Sequence, residues 1–378
     1  MFYYIELMTR YIILFLSLLI SVLCSAQSIR QENVRLTYEP PILWQPNTYV
    51  CQQAVDEISI DGVDIESSWR DAEWSDYFVD LEGVESEEPA PKSRLKMLWD
   101  KENLYLFVKL EETHIWATHL QRDTLVYQDD AFEVFIDPDG DAHNYYEFQV
   151  NAFNTLWDLF LLWPYRERRG SNYLTHWDAS GIQHAVHIEG TLNNATDLDA
   201  YWTVEMAIPW IAVQEMAPKR KAPQHNDQWR INFARVDWSM KIINGSYEKS
   251  LLDNGQPVSE DYSVWSPHGT YAMHMPEWWG YVQFSDSKVD ELAPKFKVKP
   301  DEEIKWALWQ LYYQQKEFYE KTGRYAKSIE QFTVPSIEAC SFEPNISVVE
   351  YGFQLSAPAC NGKGVWVINE RGLIDYEL

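Results

Sequence analysis

Cysteine is scarce, at four in 378 residues. No Cys/His spacing suits a zinc site, and no CxxCH haem-attachment pattern occurs. Basic residues are also in deficit: 31 Lys and Arg stand against 58 Asp and Glu, a formal charge of −27. Such a chain repels a phosphate backbone, and no basic patch interrupts the acidity, so nucleic acid is excluded as a partner. The G-x-S-x-G, H-E-x-x-H and P-loop signatures are missing, and no nucleophile stands beside a base. Nothing positive supports catalysis, and no enzyme is expected.

Long apolar runs are limited to YIILFLSLLISVL, which follows Arg10. That run is shorter than the ~20 residues a bilayer span needs. Followed by CSAQ, it reads as a signal peptide over residues 1–26, cleaved after Ala26. Cys24 leaves lipidation as an alternative, which Leu23 disfavours, and an uncleaved anchor is another. The expected location is periplasmic, cell-surface or extracellular. In an oxidising compartment Cys340 and Cys360 can pair, leaving Cys51 as a buried thiol.

Aromatics are abundant, at 15% with 18 Trp and 23 Tyr. Rings in such numbers serve either a packed core or a ligand surface. Short alternating segments recur: SRLKMLWD, NLYLFVKLEE, TLWDLFLLWP, YWTVEMAIPW, QWRINFARVDW and WGYVQFS. ISIDG, residues 58–62, reads as a further strand ending in an Asp-Gly turn. In QDDAFEVFIDPDGDAHNYYEFQVN, residues 128–151, Phe132, Val134, Ile136, Phe148 and Val150 share one face. Glu133, Glu147, Gln149 and Asn151 share the other, with DPDGD as the turn between two strands.

The chain is therefore mainly β, an antiparallel, jelly-roll-like β-sandwich over residues 51–286. A Pro-containing lead-in, 27–50, precedes it and a charged linker, 287–300, follows. In 301–378, Ile304, Leu308, Leu311 and Phe318 repeat at helical spacing, with acids at the start and Gly323 at the C-cap position. This long amphipathic helix is expected to pack on the sandwich, with a small β region after it.

DGVDIESSW, LKMLWDKENLYLFVKLEE, the 129–161 segment, YWTVEMAIPW and WGYVQFS occur here in an order that resembles family 9 carbohydrate-binding modules. The resemblance covers about residues 52–286. It implies a β-sandwich that holds a sugar between two aromatic rings above polar side chains, and an exported, non-catalytic partner of an oligo- or polysaccharide. Tyr127 stands where the family has its first ring, and Glu133 where it has a strand glutamate. Gln149 replaces a basic residue. The second ring falls near Met273 and His274, with Trp265, Tyr271, Trp278 or Trp116 as substitutes. The expected carbohydrate-binding set is Tyr127, Glu133, Gln149, Trp116, Trp265 and His274.

Asp137, Asp139 and Asp141 alternate as hard oxygen donors and are the candidate ligands for a structural calcium, which family members carry. An ordinary hairpin turn explains the same residues. His268, Met273, His274 and Met275 crowd the loop WSPHGTYAMHMPEWWG. Related sandwiches carry haem on Met and His, so a haem or electron-transfer domain is one alternative. A glycoside hydrolase accessory is a second. An envelope structural protein with a protein partner is a third.

Overall fold

The computed structural model describes residues 36–83, 91–167, 170–174 and 176–378. The expected leader, Cys24 included, lies outside the described residues. The chain divides into two compact units. One is Pro40–Val298; the other combines Lys299–Leu378 with the described part of Met1–Glu39.

The first unit holds β1 (Thr48–Gln53), α1 (Ser67–Asp71), β2 (Val79–Asp80), β3 (Ser93–Trp99), β4 (Asn103–Glu111), β5 (Ala131–Asp137), β6 (Tyr145–Asn151), β7 (Leu156–Leu161) and β8 (Tyr173–Leu174). It continues with β9 (Gln183–Glu189), β10 (Tyr201–Pro209), α2 (Trp210–Val213), β11 (Gln228–Asp237), β12 (Met240–Ile243), β13 (Ser246–Lys249), β14 (Asp261–Val264) and β15 (Gly280–Lys288). The main sheet runs β8-β7-β6-β5-β11-β15-β1-β3-β4-β10-β9, with β14 paired to β11 and β2. Its two halves bury one core: Leu106, Val108 and Val204 from one side cluster with Phe132, Val134 and Phe148 from the other. Burying each such side chain contributes about 1.5–3 kcal/mol.

The sandwich expectation holds, with one difference of detail. β1 runs parallel to both β15 and β3, so the sheet is mixed rather than wholly antiparallel. β1 also opens at Thr48, inside the segment expected as lead-in.

β5 and β6 pair as the alternation predicts, with Phe132 opposite Val150 and Glu133 opposite Gln149. The inward residues join the main core. The other face is not solvated. Phe135 and Tyr145 pack there with Val264, Met273 and Trp279, so every residue of both strands is buried.

ISIDG is not a strand. Asp61 and Gly62 donate their amides to the buried Glu205 carboxylate at 3.0 and 2.9 Å, and Trp69 Nε1 donates to the same group at 2.7 Å. Gly62 has φ +87°, and a Cβ there would lie 2.8 Å from the backbone nitrogen of His187. Only glycine fits this turn.

The second unit contains α3 (Asp301–Thr322) and the antiparallel sheet β16 (Asn345–Val349), β17 (Gly352–Pro358), β18 (Val365–Asn369), β19 (Ile374–Glu377). Acids fill the first turn of α3, and Gly323, at φ 70°, donates to Tyr319 O to cap it. The helix packs its apolar face on β17 and β18 of its own unit, with Tyr312 against Phe353. Its own sheet is the apolar surface that the neighbouring sequence supplies. Asp301 accepts from Cys360 N and Trp366 Nε1, joining helix to sheet. Cys340 and Cys360 form a disulfide, and Cys51 is a buried thiol.

Candidate functional site

On the covered face of β5 and β6 lies a cleft of about 280 Å³. β5 supplies Glu133, β6 supplies Glu147 and Gln149, and β7 supplies Trp157. The short 3-10 turn Val126–Gln128 brings Tyr127 to it. The later chain adds Tyr165, Glu260, Tyr262, Tyr271, Met273 and His274.

Tyr127 is held by its backbone. Its N–H donates to Gln149 Oε1 at 2.9 Å, and its carbonyl accepts from Trp238 Nε1 at 2.8 Å. Its ring stacks on Trp157 at 6.1 Å and 26°. Gln149 also donates from Nε2 to Glu147 Oε1 at 2.5 Å. Both ends of the Gln149 amide are thus committed within the protein, and this residue positions Tyr127 and Glu147.

The carboxylates below the rings are perturbed. Burial, then the charges of Glu147 and Glu260, pushes the Glu133 carboxyl well above its usual range. Burial raises Glu147 to about 7, against the opposing hydrogen bond from Gln149. Among the described residues, the buried Glu147 Oε2 accepts no hydrogen bond. His274 Nε2 lies 3.8 Å from it, but burial lowers His274 to about 3, so the ring is neutral and forms no ion pair. His274 instead shares a hydrogen bond with Tyr145 OH at 2.9 Å and meets Tyr165 edge-on at 4.4 Å.

The cleft thus gathers Tyr127, Glu133, Gln149 and His274 from the expected set. Trp265 and Trp116 do not belong to it. Trp265 is 1% exposed and packs on Phe233 in the core, with its ring over Gly280, so it reaches no ligand. Trp278, another expected substitute, is equally buried. Trp116 lines a separate groove of about 470 Å³ with His119, Tyr247 and Lys249. That larger groove lies across the Val126–Gln128 turn, which sends Gln128 to one opening and Tyr127 to the other. Tyr271 is the substitute that the fold does bring to the cleft. Glu147, Tyr165, Glu260 and Tyr262 were missed. Only Glu147 carried a sequence signal, since strand alternation puts it on the face of Glu133.

The two acids before β5 anchor the rim. Asp129 accepts from Thr118 N, His119 N and Asn151 Nδ2. Asp130 accepts from Trp238 N at 2.8 Å. Beside it the buried Arg235 pairs with Glu112 and Asp237, so the Glu112–Asp130–Asp237 cluster already holds a cation. Asp123, Asp158 and Asp178 likewise converge on Arg122. Asp137, Asp139 and Asp141 each offer an oxygen within 4.8 Å of the others. Burial, then the charges of Asp139 and Asp141, pushes the Asp137 carboxyl well above its usual range. Asp137 also accepts from Gly140 N and Ala142 N, so its carboxylate shapes the turn as well.

In the Met/His loop, both ring nitrogens of His268 are already taken. His268 is fully buried, with Nδ1 on Ala272 O at 2.7 Å and Nε2 on Asn232 Nδ2 at 2.9 Å.

Residues 60–244 match the carbohydrate family 9 binding domain-like family. Over those residues the sandwich is family 9-like. No curated protein matches the chain. Among solved structures, the module is similar to a family 9 carbohydrate-binding module from Caldicellulosiruptor kristjanssonii in complex with cellotriose. That likeness is 15% identical, covers 65% of this chain and 99% of that one, and has a TM-score of 0.41. It is also similar to a candidate carbohydrate-binding protein from Bacteroides uniformis ATCC 8492, at 17% identity, 64% and 100% coverage and a TM-score of 0.45. No helix among the described residues is long and apolar enough to cross a membrane.

Proposed function

We propose that this protein is an exported, non-catalytic carbohydrate-binding protein whose family 9-like module takes a glycan in the Tyr127–Glu133 cleft. One observation carries the reading: ring-bearing and carboxylate-bearing side chains from segments more than 100 residues apart converge on a single cleft. Aromatic faces stack on the C–H faces of a sugar ring. Glu133 and Glu147 accept from its hydroxyls, and among the described residues Glu147 Oε2 is an acceptor without a donor. Tyr271, 53% exposed and fixed through its hydroxyl to Glu260 O at 2.5 Å, supplies a ring at the rim.

Two carboxylates in a cleft also belong to glycoside hydrolases, but there one is held ionised while the other keeps its proton. Here burial raises both, with no cation among the described residues acting on either, which suits hydrogen bonding to a sugar better than nucleophilic attack. The Asp137–Asp139–Asp141 turn fits a structural calcium, whose charge would offset three mutually repelling carboxylates. The test is a glycan array on residues 27–378, run with calcium and again with chelator. Binding to a defined sugar class is the expected result. Silence in both conditions would refute the reading and favour a protein partner in the envelope.

A further inference from the structure

Among the described residues, the cleft's charged lining is of one sign: Glu133, Glu147 and Glu260 face it, and no described Lys or Arg does. His274 is neutral, and Gln149 is uncharged with both ends of its amide committed. Arg166, next to the cleft residue Tyr165, is held by both oxygens of Glu277 at 2.8 and 3.0 Å. Around these acids stand the rings of Tyr127, Trp157, Tyr165, Tyr262 and Tyr271. Clustered carboxylates repel one another in a partly desolvated site, and a cation entering among them relieves that repulsion. Ring faces add attraction of their own for an ammonium group.

A bare divalent ion is not the fitting occupant. Among the described residues, three acid groups converge closely enough to ligate a metal, and the cleft trio is not one of them. An ammonium bound through hydrogen bonds and ring faces accepts looser spacing. Resting on the carbohydrate reading above, we propose that the cleft selects an amino sugar, a hexosamine unit whose protonated amine sits among Glu133, Glu147 and Glu260. The upward shift of the Glu133 and Glu147 carboxyls supports a corollary. An arriving ammonium favours their ionised forms, so binding expels protons, whereas a neutral sugar expels none.

Three β-1,4-linked trimers that differ only at C2 separate the cases: cellotriose with a hydroxyl, the glucosamine trimer with an amine, and the N-acetylglucosamine trimer with an amide. Each is titrated calorimetrically into residues 27–378 near pH 6, in two buffers of different ionisation enthalpy and at high salt. The glucosamine trimer is expected to bind at least about tenfold more tightly than cellotriose and to be alone in releasing protons. Glu147→Gln with Glu260→Gln should bring that ratio close to one. The pair removes two carboxyl groups from a chain at −27, so general attraction to an acidic protein would survive it. Equal affinities for amine and hydroxyl, or a ratio that persists in the double variant, overturn the amino-sugar inference and leave the carbohydrate reading standing. Failure of all three trimers to bind overturns both.

Discussion

Glu147 makes the covered face of β6 sensitive to pH. Its carboxyl titrates at about 7 instead of 4.5, chiefly because burial disfavours the charge. In the unfolded chain the proton leaves near 4.5; in the native state it stays until about 7. Between those values the native protein binds more protons, so stability falls as pH rises through the window and the loss is complete above 7. The gap corresponds to about 3 kcal/mol at full ionisation. Glu147→Gln keeps the acceptor for Gln149 and has no charge to bury. The variant should match the wild type near pH 4.5 and exceed it at pH 8 by about 3 kcal/mol, or roughly 5–10 °C in melting temperature for a unit of this size. Calorimetric scans of both proteins across that range measure the difference directly. A variant whose melting temperature tracks the wild type at every pH would refute the argument, as would one less stable at pH 8.

Other consequences follow from the same packing. Trp265→Ala empties a core site and should cost about 3–5 kcal/mol, read as a lowered denaturation midpoint; an unchanged midpoint would return Trp265 to the surface. Gln149→Leu frees the Tyr127 amide and should weaken glycan affinity about tenfold, although Gln149 is committed to protein partners; calorimetry decides. Reducing the Cys340–Cys360 bridge, which closes a twenty-residue separation, should destabilise the α3 unit by about 3 kcal/mol and leave the sandwich transition in place. If calcium occupies the DPDGD turn, chelator lowers the melting temperature of the wild type and not of Asp137→Asn; equal scans would assign the turn to hydrogen bonds alone.

The strands were legible because their apolar residues alternate. Phe132 through Ile136 and Tyr146 through Val150 sit where a period of two puts them. Helix α3 was legible from its 3.6-residue spacing, its acidic first turn and Gly323. What covers an element was not legible. The face of Glu133 carries no mark of what covers it, because the residues that bury it, Val264 to Trp279, come more than 100 positions later. The same blindness let Trp265 pass as a ligand ring, since a buried and an exposed Trp look alike in sequence. ISIDG failed for another reason: its amides go to Glu205, 144 residues away from Asp61, and a side chain that replaces a strand partner leaves no periodicity. Tyr165, Glu260 and Tyr262 sit in or beside long loops, where no period marks the direction of a side chain.

The central claim is that the Tyr127–Glu133 cleft binds sugar, and calorimetric titration of Glu133→Ala with the best ligand from the array tests it most directly. The account predicts that affinity for that ligand is lost while the melting temperature is not lowered, because the substitution removes a repelled buried carboxylate. An affinity equal to that of the wild type would contradict it and move the site elsewhere on the module.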